Sequence, residues 1–278
     1  MAKPNRETVS DWQKEIEGVS TPADVPNIAY PRMQFISGKN GIAGHWREHG
    51  VFFIPDDQDI KSSWHRVEFI TDNGTGVDGA VRQDIELTVI RIRRAWFVQT
   101  DDSVRRFPWD RYDAAKRYGT PSSKVQIVCA VKDVEGLVSL SLNGLQASYS
   151  TSKDGWGFAA RKFLYDPVAR ILHGNKPGRI ERLPALQFRI VIGSEVTDSG
   201  KPVYTQVGSV KKSSITRIVL KNPSGPIEAE DIAIGGFIVP RVIRESYEVA
   251  YNEAQAWFDE WSEEKETENF GGNETNFE

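Results

Sequence analysis

Apolar and polar positions along this chain alternate mostly with a period of two. The run RQDIELTVIRIRRAWFVQT is the clearest case: Ile85, Leu87 and Val89 point one way, and Gln83, Asp84 and Glu86 mark the wet side. Ile90, Ile92 and the Trp96–Phe97 pair continue it as one long strand or two bent ones. KVQIVCAVKD, LVSLSLNG, ALQFRIVIGSE, VYTQVGSV and SITRIVLKN also read as strands. They are punctuated by the turn residues Asn143-Gly144, Asp198-Ser199-Gly200 and Asn222-Pro223-Ser224-Gly225. TDSGKP between two of them reads as a hairpin.

Helical spacing is confined to a few places. Thr8 to Gly18 predicts a short helix, capped by Thr8 or Ser10 and ended by Gly18, followed by the proline-rich arm STPADVPNIAYP. PWDRYDAAKRYG, Pro108 to Gly119, predicts a helical insert with proline at its start and glycine at its end. GWGFAARKFLYD reads as a second short helix or an irregular loop. Near the C-terminus, Ile243, Tyr247, Ala250, Ala254, Trp257 and Trp261 recur at spacings of four and three, an apolar seam along one helix of about six turns. Such a seam packs on the chain's own sheet or on a second copy. Beyond Glu263 no periodicity remains, which predicts a disordered tail.

Composition narrows the class. At 278 residues with 39% hydrophobic and 27% charged side chains, the chain can build a full core. No apolar run approaches the ~20 residues that span a bilayer, and MAKPNRETVSDW lacks a signal-peptide core. The expected location is the cytoplasm, with no membrane partner. Cys129, the single cysteine, sits in the apolar run VQIVCAV and reads as a buried, inert thiol. Charge is uneven: from Asp259 onward eight acidic residues stand against Lys265 alone, a balance of −7, which leaves the rest of the chain at +3. A basic body joined to an acidic end suggests a nucleic-acid-binding body, with a solubilising tail as the alternative.

Three constellations raise catalysis. GHWREHGVFFI holds His45, Glu48 and His49 in the H-x-x-E-H order of inverted zinc peptidases. That chemistry needs both histidines on one helical face, yet Gly44 and Gly50 fence the motif into strand-and-turn surroundings. In a strand the two histidines lie about 13 Å apart, too far to share a metal bound at ~2 Å. His65 and His173 sit in unrelated settings. Asp84 and Glu86 faintly resemble a metal-dependent nuclease, but Thr88 stands where its lysine belongs. DNGTGVDGA is glycine-rich without the strand–turn–helix setting of a dinucleotide site, and no G-x-S-x-G or P-loop run is present. The expectation is a non-enzyme without metal, cofactor or catalytic residues.

Rings beside cations are the recurrent theme. Arg91 to Gly119 carries Arg91, Arg93, Arg94, Arg105, Arg106, Arg111, Lys116 and Arg117 among Trp96, Phe97, Phe107, Trp109, Tyr112 and Tyr118. Trp156 to Arg189 repeats it with Arg161, Lys162 and Phe163, and the His45–Phe53 stretch adds Trp46 and Arg47. Cations that track phosphates and rings that stack on unpaired bases are what single strands require, at ~1–3 kcal/mol per stacked base. Many of these rings can equally fill the core. The candidate contacts are Trp46, Arg47, Arg93, Arg94, Trp96, Arg105, Arg106, Trp109, Arg111, Tyr112, Arg161, Lys162 and Phe163. Of these, Arg93, Arg94, Arg105, Arg106, Arg161 and Lys162 are expected to face solvent.

A β-rich basic body, a helix and the acidic end EEKETENFGGNETNFE, with Phe270 and Phe277, resemble the plan of bacterial and phage single-stranded-DNA-binding proteins. Those pair an OB-type barrel with a disordered acidic tail. The departure is Glu278 after Phe277, where the bacterial tail ends on its aromatic. The resemblance implies a β-rich α+β fold: an OB-like antiparallel barrel with a helical insert, an amphipathic C-terminal helix and a disordered acidic tail. Its parts would be an arm at 1–27, a nucleic-acid-binding domain at 28–240, the helix at 241–262 and the tail at 263–278. It implies non-sequence-specific single-stranded-DNA binding in replication, recombination or repair, in a bacterial cell or phage-infected host. Phe270 and Phe277 would recruit replication or recombination proteins, and the acidic tail would compete with DNA. The alternative is a β-rich phage structural or protein-interaction protein without nucleic-acid binding, and a homodimer is compatible with either.

Overall fold

The computed structural model of the protein describes residues 30–37, 50–55, 60–61, 63–70, 76–100, 103–173, 184–200, 203–207 and 213–268. The organising element is β5 (Asp84–Gln99), sixteen residues long. At about 3.3 Å per residue it spans about 50 Å, enough to pair with three partners. β7 (Ser122–Val131) runs along one edge, while β9 (Ile190–Ser194) and β6 (Ser103–Pro108) share the other, at opposite ends. The sheet continues through β8 (Leu137–Asn143), β1 (Arg32–Ser37), β2 (Gly50–Pro55) and β4 (Gly76–Arg82) to β3 (His65–Ile70), with β12 (Ile218–Asn222) beyond β9. β10 (Tyr204–Val207) and β11 (Ser213–Thr216) form a separate hairpin, and β13 (Lys265–Glu268) pairs with β6. Thr197–Gly200 turns the chain, with the Gly200 N–H on the Thr197 carbonyl at 2.8 Å, but β9 and β10 are not ladder partners.

The fold is β-rich, as expected, but the eleven-stranded sheet is mixed and open. β1 and β8 run parallel, and no ladder joins the two ends. The sheet does curl, and the Ser194 hydroxyl donates across the curl to the Gly50 carbonyl. Closure is replaced by helices. α1 (Tyr112–Lys116) is the insert after β6; α2 (Gly144–Thr151), α3 (Trp156–Ala160), a π-helical turn (Arg161–Tyr165) and α4 (Asp166–His173) follow β8. Ala147, Trp156, Ala160, Leu164 and Val168 join Ile85, Leu87, Val89, Ile127, Leu140 and Phe188 in one core. Helical side chains thus fill the concave inner face that a barrel would fill with its own. GWGFAARKFLYD is the first part of this longer helical run. The π turn has a local cause. Pro167 has no N–H to give the Phe163 carbonyl, and Ile227 N–H takes that carbonyl instead at 2.9 Å.

Strand sequences follow burial. From Val125 to Val131 β7 is apolar except for Gln126, because both faces are covered there. β8 alternates, with Val138, Leu140 and Leu142 inward and the small Ser139 and Ser141 outward. α5 (Ala229–Ile234) precedes helices α6 (Arg241–Glu253) and α7 (Gln255–Asp259), and the last two lie on the outer face. The expected six-turn helix is two helices broken at Ala254. Its seam residues Tyr247, Ala250 and Trp257 pack with Ile90 and Val128 of the chain's own sheet and with Leu186 of the 3-10 turn Ala185–Gln187. Residues 263–278 depart from expectation in one respect: Lys265–Glu268 is strand β13, paired with β6. Charge rather than apolar period holds it, which is why the pattern hid it. Cys129 is fully buried, and burial pushes its thiol up to about 12. Among the described residues no helix is long and apolar enough to cross a membrane.

Candidate nucleic-acid interface

β5 changes phase at a bulge between Val89 and Arg91. Before it, odd-numbered residues enter the inner core; after it, they face outward. Strand alternation sends the neighbouring arginines to opposite faces, and the bulge decides which of them faces outward. Arg93 pairs across the sheet with Gln126, on the outer side, and Arg94 with Val125, on the inner side. Strand β6 repeats the division: Arg105 lies opposite Val98 and Arg106 opposite Phe97.

The inner-face cluster surrounds α1. Trp96 and Trp109 stack with centroids 4.4 Å apart and planes 7° from parallel, and the Trp96 indole N–H donates to the Trp109 carbonyl at 2.8 Å. Tyr112 tilts against Trp96 at 4.7 Å. The Arg94 guanidinium lies 4.9 Å from the Trp109 ring and the Lys116 ammonium 4.8 Å from the Tyr112 ring. Trp96 and Trp109 are half-buried; Arg94, Arg111, Tyr112 and Lys116 are exposed. Among the described residues no carboxylate pairs with Arg94, Arg111 or Lys116. The Pro108 carbonyl accepts the Arg111 N–H, and α1 starts there. Arg105 lies over Tyr118 at 4.2 Å at the rim of the same face.

The outer-face cluster is closed. Arg91 and Arg93 are only 7% and 8% exposed, and Arg106 8%, which corrects the expectation that Arg93 and Arg106 face solvent. The C-terminal segment covers them. Arg91 donates to the Tyr251 carbonyl at 2.7 Å and to the Gln255 side chain, with its guanidinium 4.3 Å from the Tyr251 ring and 4.5 Å from that of Phe258. Arg93 donates twice to the Gln126 side-chain amide oxygen, at 2.9 and 2.7 Å, and to the Glu260 carboxylate at 2.9 Å. Its guanidinium lies 3.9 Å from the Trp257 ring and 4.3 Å from that of Trp261. Arg106 donates to the same Glu260 carboxylate at 3.0 Å and to the Glu260 carbonyl. On the inner side of β6, Glu266 of β13 pairs with Arg105 at 2.6 Å and accepts from the Ser103 hydroxyl at 2.8 Å.

Electrostatics follow from that packing. Burial pulls Arg93 down to about 10, against the hydrogen bond and charge of Glu260, while Arg106 adds to the lowering. Arg93 stays charged at neutral pH. For Glu260, burial works upward, but the hydrogen bonds and charges of Arg93 and then Arg106 outweigh it and hold the carboxyl below its ordinary value. Arg91 Nε and Arg106 Nε are buried with no hydrogen-bond partner among the described residues. Each orphaned donor costs about 1–3 kcal/mol.

The other candidates fall elsewhere. Arg161, Lys162 and Phe163 share the π turn. Arg161 and Lys162 are exposed and Phe163 is half-buried, with Arg161 3.4 Å from Asp166 and Lys162 5.5 Å from the Phe163 ring. Trp46, Arg47, Phe270 and Phe277 lie outside the described residues, as do His45, Glu48, His49 and the Thr8–Gly18 helix. Among the described residues no group of three His, Cys, Asp or Glu side chains is placed to hold a metal. The sequence reading passed over Arg91, Lys116, Gln126 and Glu260 as site residues. Arg91 and Lys116 stood in the basic run; Glu260 was hidden within the acidic end. Comparison with protein families, curated proteins and solved structures finds no match.

Proposed function

We propose that the protein binds single-stranded DNA without sequence readout, in replication or recombination, as a non-enzyme. The observation that carries this reading is the inner-face cluster. Arg94, Trp96, Trp109, Arg111, Tyr112 and Lys116 come from one strand, a turn and a helix, and converge on a half-exposed surface with three cations that no carboxylate pairs among the described residues. Ring edges and the exposed Tyr112 offer stacking, and the cations offer phosphate contacts. In this reading the acidic residues after Glu268, with Phe270 and Phe277, recruit partner proteins and compete with the strand, since a tethered anion sits at high effective concentration. Tryptophan fluorescence during titration with oligo(dT) and a matched duplex tests it. Three phosphate contacts predict quenching by the single strand with a salt slope of about −2 in log Kobs against log[salt]. Absence of quenching at low salt contradicts the reading.

A second reading, a protein-interaction module, draws on α4 and α5 (Ala229–Ile234), which pack beside each other. Ile171, Leu172 and Ile234 are 42%, 63% and 87% exposed there. It predicts no strand binding, so the same titration separates the two.

A further inference from the structure

We propose that the outer face of β5–β7 is a second single-strand-binding surface, which the segment Arg241–Glu268 occupies as an internal stand-in for the nucleic acid. This rests on the single-strand reading above and extends it to a different face. The chemistry of the occupant supports it. A polyanionic strand offers planar rings and anionic oxygens, and the segment offers both to the same arginines: the rings of Tyr251, Phe258, Trp257 and Trp261 lie against guanidinium groups, and Glu260 bridges Arg93 and Arg106 as a phosphate would.

The fit is incomplete in the way a stand-in's fit would be. Arg91 Nε and Arg106 Nε remain buried without an acceptor among the described residues. Phosphate oxygens, more numerous than one carboxylate's, would satisfy them. The occupant is also weakly anchored along much of its length. α6 has no buried residue, the helix breaks at Ala254, and β13 is a four-residue edge strand held through β6 alone. The apolar anchor is concentrated at Ala254, Trp257 and Trp261. Release of the segment would bare Arg91, Arg93 and Arg106 beside Phe97 and Gln126, a cationic surface with a ring and an amide.

The test uses the full chain and fluorescein-labelled (dT)20 in anisotropy titrations. Glu260→Ala is expected to bind about tenfold more tightly than the native chain, with a steeper salt dependence. Adding Arg93→Ala and Arg106→Ala is expected to return it to native affinity. If the native chain binds (dT)20 and Glu260→Ala binds it equally, the second surface is overturned while the inner-face reading stands. If no variant binds, both fail. A second measurement avoids reliance on Glu260→Ala. Ser103 and Glu268 are cross-strand partners, so Ser103→Cys with Glu268→Cys locks β13 when oxidised, and the buried Cys129 takes no part. Saturating (dT)20 is expected to raise deuterium uptake at residues 254–261 in the reduced chain and not in the oxidised one. Uptake in the reduced chain that ignores (dT)20 overturns the proposal.

Discussion

Arg93 and Arg94 are consecutive, yet they belong to two different regions. Arg94 stands on the inner face beside Trp109, without a carboxylate partner among the described residues. Arg93, one residue earlier, is buried on the outer face between Gln126, Glu260 and two tryptophan rings. Composition is the same on both faces: arginines, tryptophans and a tyrosine. Coverage differs. The inner cluster faces solvent around a five-residue helix, whereas the outer one is closed by a C-terminal segment that supplies both rings and carboxylate. An arginine-and-aromatic run therefore does not by itself mark a binding surface; half of this one serves to hold the chain's own end.

That comparison can be broken by substitution. The largest effect is expected from Trp257→Ala, which deletes a 7%-exposed ring from the outer cluster and costs about 3–5 kcal/mol in urea unfolding. A loss under about 1 kcal/mol would show that the C-terminal segment is not a structural part of the domain. Trp109→Ala on the inner face is expected to weaken oligo(dT) binding by a factor of about 5 to 150, the equivalent of ~1–3 kcal/mol for one stacked base. Its stability cost should be the smaller of the two tryptophan changes, because this ring is half-buried. Glu260→Ala should destabilise by about 1–2 kcal/mol in thermal or urea unfolding, discounted for its 39% exposed side chain.

Acid should reach the outer face first. Glu260 is held below its ordinary value in the folded chain, so its contribution is complete above the unfolded carboxyl value near 4.5. It fades as pH falls through the lower folded value. The groups facing it are Arg93 and Arg106. Hydrogen exchange at residues 254–261 is expected to rise below about pH 4.5 in the native chain and to lose that step in Glu260→Gln. The smallest effect is expected from Arg105→Gln, which removes a partly exposed pair with Glu266 and should change stability by under about 0.5 kcal/mol. A larger loss would show that β13 is held more firmly than an edge strand should be.

Period-two alternation made the strands legible: β5, β7, β8 and β12 lie where Ile85–Phe97, Val125–Val131, Val138–Leu142 and Ile218–Leu220 placed them. The insert around Tyr112 and the seam through Trp257 were legible from proline, glycine and helical spacing. The open sheet was not. Whether its concave face is filled by its own side chains or by Trp156, Leu164 and Val168 depends on long-range packing that local pattern does not encode. The bulge at Val89–Arg91 carries no composition signal, so which of Arg93 and Arg94 faces outward was invisible. β13 was missed because Glu266 and Arg105 attract by charge over a long sequence separation. Which candidate residues share a surface was therefore the least readable part of the site.

On the proposed function, the inner face is the one open to a strand in the native chain. Ultraviolet cross-linking of full-length protein to oligo(dT), with adducts mapped by peptide mass spectrometry, tests this most directly. The prediction is adducts on Trp96, Trp109 or Tyr112 that vanish at high salt. No adducts, or adducts confined to residues away from β5, β6 and α1, would contradict it.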